Sequence, residues 1–77
     1  MKVEVLFYGM VSEAAGLSSV KYQDIKDTEA LSEQLATFLP QLKNLQYSMA
    51  VNQVIRREVI SLTDGDVIAL LPPFAGG

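Results

Sequence analysis

The residues best placed for chemistry lie at the end of the chain, in Pro72-Pro73-Phe74-Ala75-Gly76-Gly77. A frayed terminus is the ordinary reading of such a segment, and from these residues alone it stays open. Three details favour a tail that is used. Phe74 is a bulky apolar residue in a stretch that would otherwise be solvated. Pro72-Pro73 holds the backbone extended, so the segment projects instead of coiling. Gly76 and Gly77 carry no side chains, so the carboxylate behind them can enter a narrow channel. A terminal carboxylate, with an ordinary pKa of about 3.5, is ionised near neutrality. It can attack the α-phosphate of a nucleotide held by another protein. The resulting acyl-phosphate anhydride is activated towards a sulfur or nitrogen nucleophile.

Other sites are hard to build. The chain has no His and no Cys. Thiolate nucleophiles, disulfides, thiolate or imidazole metal ligands and the commonest general base near neutral pH are therefore missing. No Gly-Lys-Ser or Gly-Lys-Thr motif and no Gly-rich strand-to-helix loop occurs. Asp64-Gly65-Asp66 starts like a calcium loop but lacks the later ligands and the closing Glu, so a plain turn is expected. Ser12 and Glu13 between Gly9 and Gly16 read as a local cap, since no base accompanies them. No metal site and no bound cofactor are expected.

A chain of 77 residues, 49% apolar and 19% charged, collapses into one small domain. The net charge is −3 and the six Lys and Arg are scattered, which disfavours a nucleic-acid groove. The opening Met1-Lys2-Val3-Glu4-Val5 alternates and does not resemble a signal peptide, and no apolar run reaches membrane-spanning length. A soluble cytoplasmic protein, without membrane contact, is the expectation.

These residues need elements to position them. Residues 2–8 alternate, with Val3, Val5 and Phe7 on one face and Lys2, Glu4, Leu6 and Tyr8 on the other, which predicts a half-buried strand. Residues 10–16 suit one or two helical turns closed by Gly16. Residues 19–25 predict a second, antiparallel strand, with Val20 and Tyr22 facing away from Lys21, Gln23 and Ile25. Asp27 is a candidate N-cap, followed by Glu29 in the first turn. Leu31, Leu35, Phe38, Leu39 and Leu42 then form one helical stripe, and Pro40 halts the regular helix near Leu39. Residues 47–52 alternate, Asn52-Gln53 turns, and residues 54–60 predict an edge arm kept soluble by Arg56, Arg57 and Glu58. After the turn at 63–66, residues 66–71 are apolar at every position but Asp66, as in a central strand.

The expected class is α+β: a small mixed sheet in the order β-β-α-β-β-β, covered on one face by one main helix, with the first and last strands adjacent at its centre. The domain spans 1–71, and 72–77 form an extended tail. With Val3, Val5 and Phe7 inward, Leu6, Tyr8, Val67, Ala69 and Leu71 face outward. Tyr8, Ile55 and Leu71 are then expected to form an apolar patch beside the tail, although scattered exposed hydrophobes are common.

In Val5-Leu6-Phe7-Tyr8, Thr28-Glu29-Ala30-Leu31, Ala50-Val51-Asn52-Gln53, Leu62-Thr63-Asp64-Gly65-Asp66 and Pro72-Pro73-Phe74-Ala75-Gly76-Gly77, the chain resembles the small, ubiquitin-like subunit family of molybdopterin synthase, among the β-grasp sulfur carriers. The likeness covers essentially the whole chain. Phe74 stands where the family often has a smaller aliphatic residue.

The resemblance implies a sulfur carrier in molybdenum cofactor biosynthesis, with no active site of its own. A ubiquitin-activating-type adenylyltransferase would use ATP to adenylate the Gly77 carboxylate, and a sulfur donor would convert it to a thiocarboxylate. Pro72, Pro73, Phe74, Ala75 and Gly76 would carry it into the large subunit, where the sulfur passes to a cyclic pyranopterin precursor within a heterotetramer. A thiazole-forming sulfur carrier for thiamine and a ubiquitin-like protein modifier share the fold and the Gly-Gly end, and remain alternatives.

Overall fold

A computed structural model describes residues 1–73. They form β1 (Lys2–Phe7), α1 (Gly9–Ala15), β2 (Ser19–Gln23), α2 (Thr28–Phe38), a 3-10 turn at Pro40–Leu42, β3 (Ser48–Val51), β4 (Val54–Arg56) and β5 (Val67–Leu71). The strands make one mixed sheet in the order β2-β1-β5-β3-β4. β1 and β5 are adjacent at the centre, as expected, and run parallel, while β2 is antiparallel to β1 and β3 antiparallel to β5. With α2 covering one face, this is the β-grasp arrangement.

The alternation of β1 sends Val3, Val5 and Phe7 into the core, where they meet Ile68 and Leu70 of β5 and Leu31 and Leu35 of α2. Full burial of such a side chain contributes about 1.5–3 kcal/mol. α2 starts as predicted: an Asp27 carboxylate oxygen accepts from Ala30 N at 2.8 Å, and Glu29 lies in the first turn. Thr28 fastens this end of the helix to the segment before β5. Its N–H donates to the Ile60 carbonyl at 3.0 Å, and its hydroxyl oxygen accepts from Ile60 N at 3.0 Å.

Four local expectations need correction. Phe38 is 57% exposed and not part of the buried stripe. Its ring packs edge-on against Tyr22, with centroids 6.5 Å apart. Leu39 and Leu42 do reach the core, because Pro40 opens a 3-10 turn that redirects the chain. Ile25 was expected on the wet side of β2 but is buried. The strand ends at Gln23, and Asp24 at φ 60 breaks the alternation. Residues 54–60 do not all form a strand, since β4 ends at Arg56. Tyr8 is not in β1 but N-caps α1, a full helix of 7 residues closed by Gly16 in the left-handed conformation.

Candidate functional site

The tail leaves from the most firmly held strand. β5 pairs with β1 from Glu4↔Val67 to Phe7↔Leu70, and with β3 from Ser48↔Leu71 to Val51↔Ile68. Tyr8 N then donates to the Leu70 carbonyl at 3.1 Å, so the two chains part directly after Leu70. Gly9 makes the turn into α1 at φ +54, a backbone region that side chains disfavour. Pro72 rests on it so closely that a Cβ at Gly9 would lie 2.8 Å from Pro72 Cγ. Pro72 is half-buried and Pro73 exposed. Phe74, Ala75, Gly76 and Gly77, expected to insert into a partner and to react, lie outside the described residues.

The outward residues of the sheet form an apolar row next to this root. The register aligns Leu6, Ala69, Ala50 and Ile55 across β1, β5, β3 and β4, with Leu71 opposite Ser48 in the next row. Ala69 and Ala50 in the middle of the row are small. Together with Leu6, Tyr8, Asn52, Gln53 and Val67, Ala69 lines a hollow of about 250 Å³. Tyr8 is 46% and Ile55 44% exposed, while Leu71 is half-buried. Tyr8, Ile55 and Leu71 thus share one face but do not form one tight cluster. Ile55 is three strands from the β1 end that carries Tyr8, roughly 14 Å at ordinary strand spacing. The face they share is a shallow apolar saddle with the tail root at one end.

At the opposite end of the sheet, Asp64-Gly65-Asp66 is a turn with its oxygens engaged. Asp66 accepts from Thr63 N at 2.8 Å, from the Thr63 hydroxyl at 3.3 Å and from the Asn52 amide at 2.9 Å. The Thr63 N–H bond, followed by the Asn52 amide, holds the Asp66 carboxyl below its ordinary pKa. Asn52 also accepts from Val67 N at 2.9 Å and so ties the β3–β4 turn to β5. Asn52 and Gln53, at φ 49 and 73, form that turn. Asp64 accepts from Lys2 N at 2.7 Å. The Ser12 hydroxyl donates to the Leu17 carbonyl at 2.9 Å, the local role expected for it. Among the described residues no three Asp or Glu are grouped so that they could hold a metal ion, and no helix is long and apolar enough to cross a membrane.

Sequence reasoning found the outward face of the sheet but missed what seats Pro72 beside it. Gly9, at the turn out of β1, is the seat of Pro72. Ala50, on the outward side of β3, is only 4% exposed. Its small size shapes the saddle, and periodicity alone gives no signal of that.

Comparison with known proteins agrees with this geometry. Residues 5–77 match the ThiS family. The molybdopterin synthase sulfur carrier subunit of Mycobacterium tuberculosis is 38% identical over 82 residues, covering 100% of this chain and 99% of that one. In a solved complex of subunits 1 and 2 of molybdopterin-converting factor from Helicobacter pylori, one chain is 30% identical, with a TM-score of 0.77 and full coverage of both chains. The crystal structure of SAMP1 from Haloferax volcanii superimposes with a TM-score of 0.83 over 100% of both chains at 20% identity, a likeness of fold alone. By sequence over nearly its whole length, and by a β-grasp sheet whose central strand leads into a Gly-Gly end, this chain belongs to the ThiS family, together with the molybdopterin synthase sulfur carrier subunits.

Proposed function

We propose that this protein carries sulfur as a thiocarboxylate at Gly77 and delivers it to the large subunit of molybdopterin synthase during molybdenum cofactor biosynthesis. The observation that carries the reading is the seat of the tail. Central β5 runs into Pro72, which is pressed against Gly9 beside an outward apolar face. A seated root next to an apolar face fixes where the residues after it set out, and reacting groups must be held in place to within about 1 Å. The names of the sequence relatives and the two-subunit Helicobacter pylori complex support the choice of pathway and partner.

The chemistry begins on another protein. A Gly77 carboxylate oxygen attacks the α-phosphorus of ATP bound to a ubiquitin-activating-type adenylyltransferase and displaces pyrophosphate. Hydrosulfide supplied by a donor then attacks the acyl carbon, displaces AMP and loses its proton, leaving the thiocarboxylate. In the large subunit that sulfur passes to a cyclic pyranopterin precursor. This chain supplies the acyl group, its reach and its docking face, while ATP is held by the activating enzyme.

Intact-protein mass spectrometry tests the reading. Incubated with the activating enzyme, ATP and a sulfur source, the chain is expected to gain the mass difference between sulfur and oxygen. Removing Gly77 shortens the reach by up to about 3.5 Å, and misplacement of even about 1 Å can cost on the order of 100-fold. Adding a residue after Gly77 presents the wrong carboxylate. Either variant transferring sulfur as well as the native chain would exclude the terminal carboxylate as the reacting group.

A further inference from the structure

A cleft of about 670 Å³ opens on the flank of the sheet at the root of the tail, with Lys43, Gln46, Tyr47, Ser48, Arg57 and Pro73 in its walls. Among the described residues two cations line it and no carboxylate does, in a chain whose net charge is −3. Glu58, the nearest acid in sequence, is not in the cleft wall but in the adjacent groove, which Arg57 also lines. Its carboxylate accepts from Arg57 N at 3.1 Å. Among the described residues, the one ion pair within 4 Å joins the N-terminal amine to Asp24, so neither Lys43 nor Arg57 has a carboxylate partner there.

We propose that this cleft receives an acidic segment of the large subunit, whose side-chain carboxylates pair with Lys43 and Arg57. The inference rests on the sulfur-carrier reading and adds a second contact to it. Three observations select this occupant. Pro73 is part of the wall, so the cleft adjoins the point from which residues 74–77 set out towards a partner. Ile55 and Ser48 belong both to the cleft and to the outward sheet face, so the two surfaces are continuous. The charge is of one sign, and a guanidinium offers a fork that matches a carboxylate. The apolar face supplies buried area. The charged cleft sets orientation and speeds encounter.

The experiment measures association of the purified large subunit from the same organism with the full chain, with the double variant K43E/R57E and with the control K26E, at low and high salt. Lys26 lies outside the cleft walls and, like both cleft cations, is exposed, so melting temperatures should stay near that of the native chain. The double variant is expected to bind at least about tenfold more weakly at low salt, mainly through slower association, with the gap narrowing at high salt. K26E should bind like the native chain. If the native chain binds and K43E/R57E binds equally well, the cleft assignment is overturned and the carrier reading stands. If K26E weakens binding as much as the double variant, net charge and not the cleft is responsible, and the assignment is again overturned. If the native chain does not bind, both readings fall.

Discussion

Gly9 and Pro72 fit against each other so closely that there is no room for a methyl group between them: a Cβ at Gly9 would lie 2.8 Å from Pro72 Cγ. The contact joins the end of β1, where the chain turns into α1, to the first residue after β5. The glycine therefore serves two ends, the left-handed turn and the direction in which the tail sets out.

Gly9→Ala should be costly on both counts. A side chain at φ +54 costs about 1–2 kcal/mol, and Pro72 must also move. Calorimetry should show that loss, and sulfur loading should fall more than stability alone explains, because the tail root is displaced. Pro72→Ala removes the opposing ring atoms. In that background Gly9→Ala should cost less, with a coupling of about 0.5–3 kcal/mol. Strict additivity would show that the contact does not set the cost.

Tyr8 separates binding from folding. It N-caps α1 in an extended conformation, but its side chain makes no capping bond. Asp is a favoured N-cap and its charge suits a helix start. Tyr8→Asp should therefore keep the melting temperature or raise it slightly. The same change puts a charge on the exposed rim of the apolar saddle, so association with the large subunit should weaken by about 2 kcal/mol. Leu71→Asp should weaken it similarly but also cost some stability, because Leu71 is half-buried and still paired with Ser48 of β3. Unchanged binding by both variants in a titration would remove this face from the interface.

How far the sequence could be read depended on how local the cause was. The alternation of Val3, Val5 and Phe7, the Asp27 cap and the all-apolar β5 are set by neighbours in sequence, and each was legible. Phe38 and Ile25 were misassigned because their places depend on a partner or a backbone twist that periodicity does not contain. Phe38 falls on the helical stripe, yet its ring meets Tyr22 of another element. Ile25 follows Asp24, whose positive φ reverses the faces after it. The same limit applies to the site. The seat of Pro72 on Gly9 and the meeting of Lys43 with Arg57 at one cleft join residues far apart in the chain.

Asp66 gives the fold a defined acid response. Its carboxylate accepts from Thr63 N at 2.8 Å and from the Asn52 amide at 2.9 Å, and these bonds favour the charged form and lower its pKa. Between that lowered value and the ordinary one near 3.9, the unfolded chain binds the proton that the folded chain refuses, so stability rises with pH in that window. The contribution is fully present above the ordinary value and is lost as pH falls through the folded one. Asp66→Asn removes the charge and points an amide donor at other donors. It should cost about 1 kcal/mol at neutral pH, since the site is near the surface, and flatten the stability profile below about pH 4. Glu58 is also lowered, chiefly by backbone N–H bonds, but it is exposed and held only by its own loop. Glu58→Gln should leave the acid profile close to that of the native chain. Denaturant melts over a series of acidic buffers provide the comparison. An Asp66→Asn profile parallel to the native one throughout would mean that the bonds to Thr63 and Asn52 do not couple protonation to folding.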